Sequence, residues 1–315
     1  TGRLLATASS LNPQVRFGGD VISRIDYAWR NAEGNARLHQ TLAAELNLLI
    51  TRLAAEAGVE CGRIWSVCVA ANPAMLHTLA GVDVRPLGQA PYVGAWSRGM
   101  SVSAVEVGLE LRPEARVRLM PMIRSNVGAD TVAAVVAAGI DRSETVTVMI
   151  DLGTNCEVVV GNRERLLVTS TAAGPAFEGA CIAQGMRAAP GAIDRVSLRP
   201  QGRLHVRVLG GGPARGICGS GLIDAVSVLL RTGLVDASGR MHGAEALDQE
   251  RWPELARRVT TVTQGERTHP AVALALPEEG ERGVPVLLTA LDVRQLQLIK
   301  GSIQAGIRLL LQEWG

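Results

Sequence analysis

The strongest constraint on the fold is a pair of apolar runs joined by a short polar turn, in residues 146–161. The first run ends on Asp151, the chain turns through Gly153, Thr154 and Asn155, and a second apolar run follows. This pattern predicts a buried β-hairpin whose polar tip faces a ligand.

The polar tip of this hairpin has the chemistry of a phosphate site. Gly153 lets the backbone approach closely, and Thr154 and Asn155 offer hydrogen-bond donors. Asp151 can hold a hydrated Mg²⁺ that bridges to phosphate oxygens. An ordinary tight hairpin, with Asp and Asn as turn formers, is the alternative that these residues leave open.

Composition limits the possible partners. The 315 residues are 47% hydrophobic, enough for one large core or two smaller ones, and two lobes are favoured. The 32 basic and 30 acidic residues form no block of one sign, so neither nucleic acid nor a membrane surface is indicated as a partner. Lys300 is the only lysine, which excludes a P-loop because that motif requires one.

The cysteines indicate a reducing compartment. They are odd in number, far apart and without a C-x-x-C pair, which is typical of free thiols. The chain carries neither a signal peptide nor an apolar run long enough for a membrane span, so we expect a cytoplasmic protein. The cysteines are Cys61, Cys68, Cys156, Cys181 and Cys218.

Two similar runs suggest an internal repeat. Residues 3–9 resemble residues 165–171, which form the third strand of a predicted meander after the hairpin. The match predicts that residues 3–9 are the third strand of a first unit whose own hairpin lies upstream; chance similarity is the alternative. We therefore divide the chain into a first lobe, 1–144, with an irregular insertion near 83–116, and a second lobe, 145–315.

A glycine-proline turn follows the meander. Gly174 and Pro175 lead into a predicted helix with Glu178 on its first turn. This geometry could aim Glu178 at the phosphate site, where it would orient water or a metal-bound water. An acid at a helix start that only favours the helix dipole is the alternative.

A second glycine-rich turn contains Gly219, Ser220 and Gly221 and opens an apolar helix. The amides at that helix start are available for an anion. The glycine spacing is not G-x-G-x-x-G and no parallel βαβ unit surrounds it, which argues against a dinucleotide-binding fold.

Taken together, these motifs resemble the reductive activators of corrinoid proteins, a family with an ASKHA-type ATPase domain. The similarity extends over most of the chain, with the motifs in the same order. It is carried by residues 12–14, 17–18, 20–25, 151–157, 173–179, 185–188, 216–224 and 292–306.

The resemblance implies an α/β, two-lobed ASKHA fold, which is actin-like, sugar-kinase-like and ribonuclease H-like. It also implies ATP and Mg²⁺ in the cleft, a homodimer, and ATP-driven reduction of Co(II) to Co(I) in a corrinoid protein of a methyltransferase system. Members carry an iron-sulfur cluster in a ferredoxin-like N-terminal domain, and this sequence has no cysteine set for it. We therefore expect the chain to be a core truncated at both ends.

Site roles are assigned residue by residue, from the position of each residue beside the predicted phosphate turn. Glu178 is expected near the γ-phosphate, with Asp20 facing it from the other lobe, and Asp151 is expected to bind the metal. An ASKHA-fold small-molecule kinase and a non-hydrolysing scaffold that docks a corrinoid protein are the alternative functions. The expected nucleotide-binding residues are Asp151, Gly153, Thr154, Asn155, Gly174, Pro175, Gly219, Ser220 and Gly221.

Overall fold

The computed structural model describes residues 2–315 and groups them into two compact units. The first unit contains the chain up to Val146 together with Gly161–Arg165, and the second contains Thr147–Val160 and Leu166–Gly315. Each unit has its own hydrophobic core. Within residues 2–315, no helix is long and apolar enough to cross a membrane.

The first unit combines α-helices with a small mixed sheet of order β1-β3-β2. In this sheet β1 runs parallel to β3 and β2 runs antiparallel to it. The segment near 83–116 was predicted to be irregular, but it contains the edge strand β2. The elements are α1 (Val21–Arg30), α2 (Gly34–Ala57), β1 (Ser66–Val69), α3 (Pro73–Leu79), β2 (Met100–Ser103), β3 (Arg116–Leu119) and α4 (Ala129–Ala138).

The long helix α2 forms because leucines recur at helical spacing. Leu38 and Leu42 are buried, and the helix ends where Gly58 adopts the left-handed conformation, with φ +65° and ψ 34°. Asp20 caps α1: its side chain accepts a hydrogen bond from the backbone N–H of Ser23 at 2.8 Å. The sequence predicts this cap, because a polar, glycine-punctuated loop over residues 12–20 leads into a helix near Asp20, and the structure confirms it.

The prediction of a strand at residues 3–9 is wrong. These residues have no regular secondary structure, and Leu4 and Leu5 are 76% and 56% exposed. A β-strand needs a hydrogen-bonded neighbour, and among residues 2–315 none pairs with this segment. The two similar runs therefore do not occupy equivalent places in two sheets, and the repeat loses its structural support.

The second unit contains three small sheets, with orders β4-β5-β6, β8-β7-β9 and β10-β11-β12 in the described chain. The first of these is the meander that the sequence predicted. The elements are β4 (Thr147–Asp151), β5 (Asn155–Gly161), β6 (Leu166–Ala172), β7 (Ala192–Leu198), β8 (Leu204–Val208), β9 (Gly216–Ile217), α5 (Gly219–Thr232), α6 (Pro253–Ala256), β10 (Val259–Gln264), β11 (Arg267–Ala275), β12 (Val286–Thr289) and α7 (Ala290–Trp314).

Helix α7 packs on the β4-β5-β6 sheet. Val158 and Val160 of β5 form a cluster with Leu310 of α7. A Cβ on Gly306 would lie 2.6 Å from Cγ2 of Thr171, so only glycine lets the helix approach β6 this closely. β5 is buried as predicted, but β4 is an edge strand with alternate side chains partly exposed, so the hairpin is buried on one strand only.

The larger core of the second unit lies between α5 and the other two sheets. Ile193 and Val196 of β7 belong to the same cluster as Leu222 and Leu229 of α5, and all four are buried. The α7 N-terminus is fixed by a capping box between Thr289 and Asp292. Asp292 is 1% exposed and also accepts a hydrogen bond at 2.8 Å from the backbone N–H of Ala183.

A buried histidine in the first unit is held in one protonation state. His77 Nδ1 lies 2.7 Å from the carbonyl oxygen of Pro73, and Nε2 lies 2.9 Å from the backbone nitrogen of Ala95. Because a carbonyl only accepts and an amide N–H only donates, these contacts require the neutral ring with its hydrogen on Nδ1. Burial lowers the pKa of His77, and the ring stacks on Trp96 at a centroid distance of 4.2 Å.

We expect the free energy of unfolding to fall as the pH drops below about 6.5. At such pH the His77 ring binds a proton in the unfolded state but stays neutral in the folded state. The loss should approach about 1.4 kcal/mol per pH unit at most. Urea unfolding measured between roughly pH 7.5 and 5.5 tests this. In His77→Gln the loss should be absent, and it should persist in His205→Gln, which changes an exposed histidine.

Candidate functional site

The polar turn between β4 and β5 is the centre of the candidate site. β4 ends at Asp151 and β5 begins at Asn155, so Gly153 and Thr154 lie in the turn itself. A Cβ on Gly153 would lie 3.1 Å from the carbonyl oxygen of Asn155, which is a tight contact. The predicted hairpin is formed, and Asp151 and Asn155 are exposed at its tip.

Hydrogen bonds fix this tip to the glycine-proline turn. The Thr154 carbonyl oxygen accepts from the backbone N–H groups of Ala173 at 3.1 Å and Gly174 at 3.0 Å. The Thr154 backbone N–H donates to Glu178 Oε1 at 3.0 Å, and the Thr154 hydroxyl donates to the same oxygen. The structure therefore brings together the hairpin tip and the glycine-proline turn, which the sequence analysis had identified as two separate candidates.

The glycine-proline turn is shaped to present Glu178. Gly174 has φ +82° and ψ 169°, a conformation that essentially only glycine adopts. Pro175 then starts a short 3₁₀-helix that ends at Glu178, in place of the longer helix predicted. Glu178 Oε2 is buried and has no hydrogen-bond partner in residues 2–315, so one oxygen of this carboxylate is left for a ligand.

Three acidic side chains lie near the Cys156 thiol at this site. Burial raises the pKa of the Cys156 thiol, and three nearby carboxylates raise it further. These carboxylates belong to Glu157, Asp151 and Glu178. Glu157 was missed in the sequence, although it lies two residues from Asn155 on β5 and therefore on the same face of the strand. Its Oε1 accepts a hydrogen bond from the Ser170 hydroxyl at 3.0 Å.

The start of α5 packs against the same turn. Cβ atoms on Gly219 and Gly221 would lie 2.6 Å from the carbonyl oxygen of Phe177 and 2.1 Å from that of Ile193. The N-cap residue Cys218 makes no side-chain cap, and its thiol contacts the Ser220 hydroxyl at 3.4 Å. Both glycines are thus required for close packing, whatever they also do for a ligand.

Direct metal coordination is not preformed in residues 2–315, where no group of three or more His, Cys, Asp or Glu side chains could hold a metal. Mg²⁺ does not need such a group, because it keeps several waters and binds through one or two carboxylates plus phosphate oxygens. Asp151 and the unpartnered Glu178 Oε2 fit that chemistry. Asp20 belongs to the first unit, and its predicted role beside the phosphate stays a prediction.

The site and the surrounding α/β architecture define an ASKHA-domain protein. A family model described as the C-terminal domain of RACo, the ASKHA domain, matches residues 145–315. A second model, described as the RACo middle region, matches residues 1–143. The chain therefore belongs to the RACo family.

Individual relatives agree with this assignment. The corrinoid activation enzyme RamQ of Eubacterium limosum is 35% identical over 315 residues, which is 100% of this chain and 52% of the relative. A Co(II) methylated amine-specific corrinoid protein reductase of Methanosarcina barkeri is 25% identical over 254 residues, covering 70% of this chain and 45% of the relative. The chain thus spans about half the length of the curated relatives it matches.

A solved structure supports the same fold. It is a reductive activator for corrinoid, iron-sulfur protein, with a TM-score of 0.78 and 37% identity, covering 99% of this chain and 48% of that one. The predicted α/β ASKHA fold and the family resemblance are confirmed. That residues 1–144 form a first ASKHA lobe stays a prediction, as do the nucleotide-binding roles.

The packing role of the site glycines can be measured. We expect Gly221→Ala to lower the free energy of unfolding by about 2 kcal/mol or more, because the new Cβ meets the Ile193 carbonyl. Gly301→Ala is the matched control: this helical glycine is exposed and has no atom within 4 Å of the new Cβ. The control should be neutral or stabilising by up to about 1 kcal/mol. Equal stability of the two variants in urea unfolding would contradict the packing role.

Proposed function

We propose that the full-length protein is an ATP-dependent reductive activator that converts Co(II) to Co(I) in a corrinoid protein of a methyltransferase system. The observation that carries this proposal is the hydrogen-bonded junction of Thr154 and Glu178, within a chain that matches RACo family models along its length. The names of the relatives, a corrinoid activation enzyme and a corrinoid protein reductase, support the corrinoid partner.

The residues at the hairpin tip fit a Mg²⁺-nucleotide. Asp151 is exposed, and no hydrogen bond or ion pair to its side chain is found in residues 2–315, so it is free to hold a metal-bound water. Gly153 in the turn and Asn155 at the start of β5 form the tip against which phosphate oxygens would lie. When bound, Mg²⁺ would neutralise charge on the phosphate oxygens.

Glu178 has the arrangement of a water-orienting residue. Thr154 holds Oε1 through two hydrogen bonds, which fixes the carboxylate plane and leaves Oε2 for an incoming water. A carboxylate held in this way can align the water for attack on the γ-phosphate. Asp20, on the first unit, is the proposed second acidic residue of the reaction.

ATP is needed because the Co(II)/Co(I) couple lies too low for easy reduction, and a binding partner can help only by favouring one state over another. Nucleotide-linked movement of the two lobes would supply that bias. We propose that the electron comes from an iron-sulfur domain outside residues 1–315, and that the protein acts as a homodimer in the cytoplasm. The free thiols, none in a disulfide within the described residues, agree with a reducing compartment.

Replacing the proposed metal ligand tests the nucleotide site. In the full-length protein, Asp151→Asn should lower ATP hydrolysis about 100-fold or more, because the variant loses the charge that holds Mg²⁺. The thermal midpoint should hardly change, since the exposed side chain makes no contact that the fold requires. Asp141→Asn, an exposed aspartate of the first unit, is the control and should keep wild-type turnover. Unchanged turnover in Asp151→Asn would remove Asp151 from the site.

The decisive assay follows cobalt absorbance and phosphate release together, under anaerobic reducing conditions, with and without a corrinoid protein. We expect corrinoid-stimulated ATP hydrolysis and the appearance of Co(I). Both should fall about 100-fold or more in Glu178→Gln, because the amide cannot align water as the carboxylate does. Gln can still accept the Thr154 hydrogen bonds, so the fold and the turn should survive.

The same assay separates the alternative functions. ATP consumption that depends on a small metabolite and ignores the corrinoid protein would indicate a kinase. Binding of the corrinoid protein without any hydrolysis would indicate a docking scaffold. Either result would overturn the proposed function.

A further inference from the structure

The outer face of the β7-β8 hairpin is densely basic. β7 and β8 pair in antiparallel register, with Arg195 opposite Arg207 and Ser197 opposite His205. Beyond the end of this ladder, Arg199 donates its backbone N–H to the carbonyl oxygen of Arg203 at 2.8 Å. We name Arg195, Arg199, Arg203 and Arg207 the arginine face; all four residues are exposed.

Strand alternation explains why these side chains share one side. Val196 and Leu204 point into the core under α5 and are buried, so their neighbours along each strand point outward. A register shift between Ile193 and Arg195 determines which side chains of β7 point outward. The arginine face is therefore fixed by the register that buries the opposite side of the hairpin.

Little negative charge balances this face. Asp194 pairs with Arg207 through both carboxylate oxygens, and that arginine holds the pKa of Asp194 below its usual range. Glu279 attracts Arg203 electrostatically without forming an ion pair with it. Glu279 is itself paired with Arg258 at 3.2 Å. Among residues 2–315, no carboxylate lies within ion-pair distance of Arg195, Arg199 or Arg203.

This arrangement is unfavourable for the isolated fold. Like charges directly opposite each other on an antiparallel pair are destabilising, and Arg195 faces Arg207 in that way, although the Asp194–Arg207 pair reduces the repulsion. Several arginines elsewhere in the chain are balanced by a carboxylate, as in the pairs Arg37–Glu33 and Arg163–Glu144. A local excess of positive charge in a chain with 32 basic and 30 acidic residues therefore indicates a partner of opposite sign.

We propose that the arginine face is a docking surface for an acidic patch of the partner protein whose corrinoid is reduced. The identity of that partner rests on the proposed function. Guanidinium groups suit this role because they bind carboxylates in bidentate geometry. Residues 192–208 contain no Phe, Tyr or Trp on which a base could stack, and His205 is the one aromatic ring among them, which favours an acidic protein over a nucleic acid.

The kinetic test uses the full-length protein and a corrinoid protein that the wild type reduces. In Arg195→Glu/Arg199→Glu, KM for the corrinoid protein should rise about 10-fold or more at low salt, with kcat unchanged. Added salt should raise the KM of the wild type for the corrinoid protein more than that of the variant. Arg52→Glu/Arg63→Glu, an equal charge change on exposed arginines of the first unit, should leave KM unchanged. Unchanged KM in the first variant, or an equal shift in the control, overturns the proposal.

A binding test does not depend on the proposed function. Poly-L-glutamate should bind the wild type and the control variant, and should bind Arg195→Glu/Arg199→Glu at least about 10-fold more weakly. Equal binding to all three proteins overturns the docking surface even if the reductase assay fails for other reasons. Duplex DNA that binds the arginine face more tightly than poly-L-glutamate would also overturn it, in favour of a nucleic-acid partner. Circular dichroism confirms that each variant is folded.

Discussion

The candidate site depends on one interaction, the pair of hydrogen bonds that Thr154 donates to Glu178 Oε1. Hydrogen bonds to an ionised carboxylate contribute about 1.5–3 kcal/mol each, more than neutral ones. They join the tip of the β4-β5 hairpin to the turn that starts at Gly174, and the Thr154 carbonyl completes the junction. Without them the backbone bonds of Ala173 and Gly174 to Thr154 would still join the two segments, but the Glu178 side chain would no longer be tied to the hairpin tip.

The junction also determines what surrounds it. Because Phe177 lies in the same turn, the start of α5 can approach only through Gly219, and Gly221 lies against the carbonyl of Ile193 on β7. A glycine-rich helix start is usually interpreted as an anion site, but here the same residues have a packing reason to be glycine. The two roles are compatible, since a helix start held close to Glu178 also brings its free amides to the site.

Features that depend on residues close together in the chain were predicted correctly from the sequence. Features that depend on the pairing of strands were not. Asp20 was predicted as a helix cap and Asp151 as the end of a strand before a turn, and both depend only on near neighbours. Residues 3–9 have strand composition but no pairing partner in residues 2–315, and β2 pairs with the next strand, β3, despite its Gly- and Pro-rich surroundings. Glu157 was missed because Glu157 and Glu178 come near the same thiol, that of Cys156, only after the meander folds.

The arginine face could not be predicted from the sequence for the same reason. The balanced total of basic and acidic residues gave no reason to expect a charged face, because the arginines become neighbours only through the antiparallel register of β7 and β8. Under the proposed function, such a face would speed encounter and select the partner, and it would attract the Co(II) and Co(I) forms of a corrinoid protein almost equally. A partner that binds two states with equal affinity does not change the equilibrium between them. Under the proposed function, the reductive bias would therefore have to originate in contacts that change with the nucleotide. We propose the junction of Thr154 and Glu178 as the part of the chain where binding and reduction are coupled.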